Sequence, residues 1–315
     1  MSVVITTTSG SRHPVDACLR SLARSSRLPF EVLVVDASEG ARTSDGAGVP
    51  DPALPSLRRL RAPGSADRAR AAGAEAARGD VVAFLADDAT VSPIWLEELA
   101  RCYTEPAVTG VGGRVVDPLS LADEASHGLV GRLLADGRLT RHFSADLARV
   151  VEVDHLPAAN MSFRRSALDD AGRRAGASPG SPGLDGTAVS LRQRALGRTL
   201  LFNPRAVVRR AVPELVRGRP GGVGASYAGR RDHVRMLADV HGRGMRLAST
   251  FVRSSVRQDV LTIAAVARAV LVRDPGTRSR GTVTLAGAIL RGLSGSAGAA
   301  AGRLLLRPRA SRRPT

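Results

Sequence analysis

Two short apolar runs that end directly in aspartate constrain this chain more than any other feature. Phe30–Val35 runs into Asp36, and Val81–Leu85 (VVAFL) runs through Ala86 into Asp87 and Asp88. A third run, Ser2–Thr6, stands near the N-terminus and is followed by Thr7. Runs this short, rich in β-branched residues and flanked by polar ones, are the pattern of parallel strands buried on both faces. Between Ser2–Thr6 and Phe30–Val35, Pro14–Ala23 spaces Val15, Cys18, Leu19 and Leu22 at i, i+3, i+4 and i+7, which gives a helix one apolar face. Strand, helix and strand in that order make a βαβ unit.

The alternation continues down the chain. Leu57–Leu60 reads as a short strand, Ala66–Ala77 as an Ala-rich helix closed by Gly79, and Pro93–Arg101 as a helix with Trp95 and Leu99 on one side. Gly110–Val116 returns as a strand, and His155–Phe163 and Leu200–Val208 read as strands around a helix at Thr187–Leu196. Gly40–Pro55 and Gly176–Gly186 are Gly-, Pro- and Ser-rich and read as loops, while residues 117–155 carry no clear period. The expectation is an α/β fold: an open, mostly parallel sheet with helices on both faces. Such sheets bind ligands beyond the carboxyl ends of their strands. Asp36, Asp87 and Asp88 all fall at that edge. They read either as a metal and nucleotide site or as ordinary strand-end turns.

Charge divides the chain differently. The net charge is +17 over 315 residues, and all 46 basic residues are arginine. Residues 1–204 hold 24 Arg against 24 acids; residues 205–315 hold 22 against 5. The whole excess therefore lies in the last third. Gly218–Gly224 reads as a linker, and the sequence beyond it is basic and helical without strands. Aromatic residues make up only 3% of the chain, which disfavours a nucleic-acid binder that stacks bases on rings. Val256, Val260, Ile263, Ala267 and Val270 fall on one helical stripe bordered by Arg257 and Arg268, and Thr282–Leu306 is a second small, apolar segment. Both suit helices lying on an anionic membrane surface, and equally a surface packed on the rest of the chain or on a second copy. No run approaches the roughly 20 apolar residues that span a bilayer. The opening MSVVITT reads as a strand rather than a signal peptide, and two cysteines exclude a disulfide framework. The expected location is cytoplasmic, peripheral at the inner face of the cell membrane.

The order VVITT, VLVVDAS, RAAGAEAARGDVVAFLADDATVSPIWLEEL, GVGGRVV, LPAANMSFRRSAL and SLRQRALGRTLLFNPRAVV resembles a family 2 glycosyltransferase over roughly residues 1–210. The resemblance implies the A-type glycosyltransferase fold, with a catalytic domain at residues 1–216. Its nucleotide-binding half is 1–116, its acceptor half 117–216, and 217–315 forms the basic extension. It implies inverting transfer of a sugar from a nucleotide-diphospho-sugar to a hydroxyl of a lipid-linked or cell-envelope saccharide. A catalytically degenerate relative that binds nucleotide or a partner transferase is the alternative. By resemblance, Thr6 or Thr7 and Asp36 contact base and ribose, Arg70 lies near the nucleotide, and Asp88 with Asp87 holds Mg²⁺ or Mn²⁺. Asn160 stands near the transferred sugar.

Three departures from the family pattern bear on chemistry. Ala86 stands where the acidic cluster usually begins. Arg209-Arg210 follows the last core strand where many members carry a histidine; a fixed cation there, with Arg209 as the named candidate, neutralises diphosphate directly and lowers the need for a metal. The usual Glu-Asp pair before the last helix is reduced to GLDG. Without a gap Gly186 falls on the base; with one inserted residue Asp185 does. Asp185 is the only carboxylate between Asp170 and Glu214. It is thus the candidate base, and a helix N-cap is its other reading.

Overall fold

The computed structural model describes residues 1–8, 12–38, 54, 56–116, 129–169, 184–211, 234, 237, 248–257 and 260, without the side chains of 12–14. The chain divides into two compact units, Met1–Leu133 with Leu139–Glu214, and Leu134–Arg138 with Leu215–Thr315.

The first unit runs β1 (Ser2–Thr7), α1 (Arg12–Ala23), β2 (Glu31–Asp36), β3 (Leu57–Arg61), α2 (Ala66–Ala76), β4 (Val81–Ala86), β5 (Ala89–Val91) and α3 (Trp95–Arg101). After a 3-10 turn at Cys102–Thr104 come β6 (Val108–Val116), β7 (Val151–Glu152), β8 (Asn160–Arg164), α4 (Gly186–Ala195) and β9 (Thr199–Arg210). One nine-stranded sheet in the order β3-β2-β1-β4-β8-β6-β9-β5, with β7 also on β9, holds every strand among the described residues. The six strands β1, β2, β3, β4, β6 and β9 run one way, and β5, β7 and β8 run the other.

The apolar runs form this sheet because alternate side chains feed two cores. Val3 and Ile5, Val32 and Val34, and Ala83 and Leu85 enter one core with Val15, Cys18, Leu19 and Leu22 of α1 and Trp95, Leu96 and Leu99 of α3. Val4, Leu33, Val35, Val82 and Phe84 enter the other with Ala69 of α2 and Val189 of α4. Each large side chain so buried contributes about 1.5–3 kcal/mol relative to exposure. Helix α2 rides close on the sheet: a Cβ at Gly73 would come within 2.4 Å of Val4 Cγ1.

Several boundaries differ from those expected. The run read as His155–Phe163 is strand only from Asn160; Pro157 has no N–H to give a ladder, and its carbonyl accepts from Asn160 N in a turn at 3.0 Å. Helix α2 is closed at Ala77, whose N–H donates to the Ala74 carbonyl, rather than at Gly79. Helix α3 begins at Trp95 and not Pro93, and β9 extends two residues past Val208 to Arg210. Strand β5 was not expected at all, because three residues are too few to show a period.

In the second unit, residues 248–257 are helical. Ala248, Phe251 and Ser255 are its buried side, whereas Val256 and Val260 are 40% and 59% exposed. Ile263, Ala267 and Val270, the segment Thr282–Leu306, the expected linker Gly218–Gly224 and most of the expected loops Gly40–Pro55 and Gly176–Gly186 lie outside the described residues.

At the amino edge of the sheet one carboxylate ties four segments together. Glu31 is 1% exposed and accepts from Ser2 Oγ at 2.7 Å, Arg78 N at 2.6 Å and Arg58 Nη1 at 3.4 Å. Burial alone would push its carboxyl up; the Arg78 N–H, the Ser2 hydroxyl and the Arg58 guanidinium outweigh it and hold the group below the ordinary glutamate value. A carboxyl depressed in the folded state stabilises fully above its unfolded pKa, and that contribution is lost as pH falls through the folded one. Thermal melts of wild type and Glu31→Gln should therefore differ most near neutrality and converge as pH falls below the ordinary glutamate range. A gap that stays constant across that range would contradict this assignment.

Candidate functional site

The strand register puts the expected nucleotide residues side by side at the carboxyl edge. Thr7 pairs with Asp36 across β1 and β2, and Thr6 pairs with Ala86 across β1 and β4, so Asp87 and Asp88 follow immediately. The backbone around Asp36 is fixed on both sides: Ala37 N donates to Thr7 O at 2.8 Å and Ala62 N to Asp36 O at 2.8 Å. Asp36 Oδ1 accepts from Ser38 N at 2.9 Å, an Asx-turn that aims the carboxylate. Thr7 is 5% exposed, and its hydroxyl has no hydrogen-bond partner among the described residues. A buried hydroxyl without a partner is costly, and a bound polar ligand would satisfy it. Cys18 of α1 lies beneath this corner; burial pushes its thiol well up, and the nearby Asp87 and Asp88 charges add to that.

Asp88 is gripped by a residue 122 positions away. Strand β5 pairs antiparallel with the end of β9, Ala89 opposite Arg210, Thr90 opposite Arg209 and Val91 opposite Val208. Ala211 N donates to Asp88 O at 2.8 Å. Arg210 Nη2 then reaches Asp88 Oδ2 at 2.6 Å, and its Nε lies 3.1 and 3.2 Å from Oδ2 and Oδ1. The Asp88 side chain is only 11% exposed and that of Arg210 34%, so this ion pair is stronger than a solvated surface bridge. Arg209, the arginine favoured from sequence, is exposed instead. Two-residue alternation carries the distinction. Ala206 and Val208 are fully buried, and continuing their phase places Arg210, not Arg209, on the inward face.

A second group forms where α2 and α4 begin. Asp67 and Arg70, one turn apart on α2, form an ion pair. Leu184 N donates to Asp67 O at 2.8 Å, which docks the start of α4 beside them. Asp185 is exposed at the N-cap, its Oδ1 accepting from Thr187 N at 2.8 Å. Burial raises the Asp67 carboxyl above the ordinary aspartate range; Arg70 pulls it down, and the Asp185 charge pushes it up again. Asp67 was not anticipated, although an acid in the first helical turn with Arg at i+3 was visible as a pair.

Asn160, expected near the transferred sugar, is held inside the sheet. It is fully buried. Its Oδ1 accepts from Trp95 Nε1 at 2.8 Å, and its Nδ2 donates to Arg114 O at 3.0 Å and Ala206 O at 2.9 Å. Here the amide ties α3, β6 and β9 together. Gly113 permits the approach: a Cβ there would sit 2.0 Å from Ala206 O and 2.4 Å from Asn160 Nδ2. A separate hollow of about 400 Å³ lies between α1 and β5, lined by Arg20, Ser21, Arg24 and Thr90 among others, and includes none of the carboxyl-edge residues.

The model of the family described as "Glycosyl transferase family 2" matches residues 2–172, more than half of the chain. The chain belongs to glycosyl transferase family 2. With that membership goes an A-type glycosyltransferase fold. Among solved structures, the fold is similar to mannosyltransferase PcManGT from Pyrobaculum calidifontis in complex with GDP-Man and Mn²⁺ (TM-score 0.54, 15% identity, 98% of this chain and 87% of that one). It is also similar to GalNAc-T7 with UDP, GalNAc and Mn²⁺ (0.56, 15% identity, 75% and 47%) and to S. aureus TarS 1–349 (0.53, 13% identity, 98% and 92%). A curated relative, the glucosyl-dolichyl phosphate glucuronosyltransferase of Haloferax volcanii, is 50% identical over 48 residues, which spans only 15% of either chain.

Two of these structures are complexes with Mn²⁺, and in this chain the residues that follow β4 would have to hold the expected Mg²⁺ or Mn²⁺. They do not fit one. Ala86 supplies no ligand, both Asp88 oxygens face the Arg210 guanidinium, and the described residues contain no group of three or more His, Cys, Asp or Glu close enough to hold an ion.

Trp95 is the only tryptophan, so its fluorescence reports on the Asn160 pin. Asn160→Ala strands a buried indole N–H and two carbonyls, and should cost about 2–4 kcal/mol in denaturant unfolding while shifting the emission of Trp95. Unchanged stability and emission would show that the amide is not holding these elements.

Proposed function

We propose that this chain is an inverting glycosyltransferase that moves a sugar from a nucleotide-diphospho-sugar to a hydroxyl of a lipid-linked or cell-envelope saccharide. The observation that carries the reading is the register at the carboxyl edge, which aligns Thr7 with Asp36 and Thr6 with the strand leading into Asp87 and Asp88. Base and ribose are assigned to Asp36 and the Thr6-Thr7 step; the unpartnered Thr7 hydroxyl supports this. The acceptor hydroxyl is a weak nucleophile, so it needs a proton acceptor as it attacks. In this reading its oxygen bonds to the anomeric carbon, the bond to the diphosphate oxygen breaks with its electron pair, and the proton passes to Asp185. A single displacement of this kind inverts the anomeric centre. Arg70, held by Asp67 beside Asp185, supplies positive charge at that end of the site.

The acceptor class rests on two observations. The short Haloferax volcanii match belongs to an enzyme whose name includes a dolichyl phosphate. The excess of 22 Arg over 5 acids beyond residue 204 suits anionic lipid headgroups. Both fit a protein held at the inner face of the cell membrane. The second reading, a relative that keeps the fold and binds nucleotide or a partner transferase without turnover, has one observation on its side: Asp185 already serves as a helix cap.

Asp185→Asn separates the two, because asparagine caps a helix as well as aspartate and cannot take a proton. The wild type, offered a panel of nucleotide-diphospho-sugars, should release nucleoside diphosphate. Asp185→Asn should melt at the same temperature and turn over about a hundredfold more slowly or less. No release from any donor by wild type would favour the second reading, and full activity in the variant would remove Asp185 from the mechanism.

A further inference from the structure

We infer that Arg210 takes the place of the divalent cation, so that donor diphosphate is bound and released here without a metal ion. The inference rests on the nucleotide-sugar reading above and concerns how its leaving group is stabilised.

The charges balance in the same way as in a loaded metal site. Three carboxylates and a divalent ion sum to −1, and so do Asp87, Asp88 and Arg210. This chain has lost one acid, at Ala86, and gained one fixed cation. A bridging metal must touch protein and phosphate at once, and a guanidinium does the same with five N–H donors in one plane. Here its Nε and Nη2 grip Asp88. That grip is built into the backbone: the β5–β9 pairing sets Arg210 opposite Ala89, and the Ala211 N–H to Asp88 carbonyl bond at 2.8 Å locks the register. The cation is therefore in position before any ligand arrives, and no rearrangement is needed when charge develops. During transfer the pair of electrons from the anomeric C–O bond goes to the diphosphate oxygen, where the guanidinium donors meet it; Arg210 gives up no proton. An ion entering the site would have to displace the guanidinium from Asp88, so added metal should bring little.

The test is calorimetric titration of the full chain with UDP and with GDP, in EDTA and again in Mn²⁺. Wild type should bind at least one of them in EDTA, with a dissociation constant that changes less than about threefold in Mn²⁺. Arg210→Ala should weaken binding in EDTA by about tenfold or more. Should that variant melt early, Arg210→Lys, which keeps the charge and loses the fork, should weaken binding in the same direction. Electron paramagnetic resonance supplies a readout independent of nucleotide: wild type should leave the signal of free Mn²⁺ undiminished, whereas Ala86→Asp combined with Arg210→His, which restores an acid and a ligand, should diminish it. Nucleotide binding by wild type only in Mn²⁺, or depletion of free Mn²⁺ by wild type, would overturn the inference and leave the nucleotide reading standing. Absence of binding in both buffers would overturn both.

Discussion

The pairing of β5 with the last three residues of β9 is the constraint on which the site depends. Strand β4 delivers Asp87 and Asp88 to the carboxyl edge, and the chain then leaves β1 and β4 to pair on the far side of the sheet. Because β5 and β9 run antiparallel there, the end of β9 is drawn back toward the start of β5, and Arg210 meets Asp88. Remove that pairing and the two residues have no other reason to meet across the 122 positions between them. Without the partner, Asp88 would be a largely buried carboxylate with no charge to offset its lost hydration.

The same end of β9 is held from below by Asn160. Its three hydrogen bonds link Trp95, Arg114 and Ala206, which belong to α3, β6 and β9. Arg210 is four residues beyond Ala206, so a rigid Ala206 sets where the guanidinium starts from. Gly113 allows this by leaving room beside the Ala206 carbonyl. Asn160 is thus part of the frame that fixes where the end of β9 runs. Glu31 does comparable work at the opposite edge, where it ties together the starts of β1 and β2, Arg58 of β3 and the turn before β4.

Much of this was legible in the amino-acid sequence, and the reasons are physical. Strands buried on both faces must be apolar throughout, so β1, β2 and β4 declare themselves as short unbroken runs; α1 declares itself through Val15, Cys18, Leu19 and Leu22 on one face. The aspartates at the strand ends follow directly from those runs. Strand β5 was not legible, since Ala89-Thr90-Val91 forms a strand only because residues 208–210 lie beside it. Arg210 was half legible: the pair Arg209-Arg210 stood out as cationic, but choosing between them required carrying the alternation of Ala206 and Val208 two residues further. Asn160 was legible as a motif and not as a contact, because the indole that claims its oxygen is 65 residues away in sequence. Asp67 drew no notice because its link to Asp185 runs through the backbone of Leu184, which no side-chain pattern encodes.

The central claim is that a sugar nucleotide lies across the carboxyl ends of β1, β2 and β4. A crystal structure of the chain with a nucleoside diphosphate, grown with EDTA present, tests it most directly. The account predicts ribose beside Asp36, the base reaching the Thr7 hydroxyl, and diphosphate oxygens within hydrogen-bond distance of the Arg210 guanidinium. Nucleotide lodged instead in the hollow between α1 and β5, against Arg20 and Arg24, would contradict it.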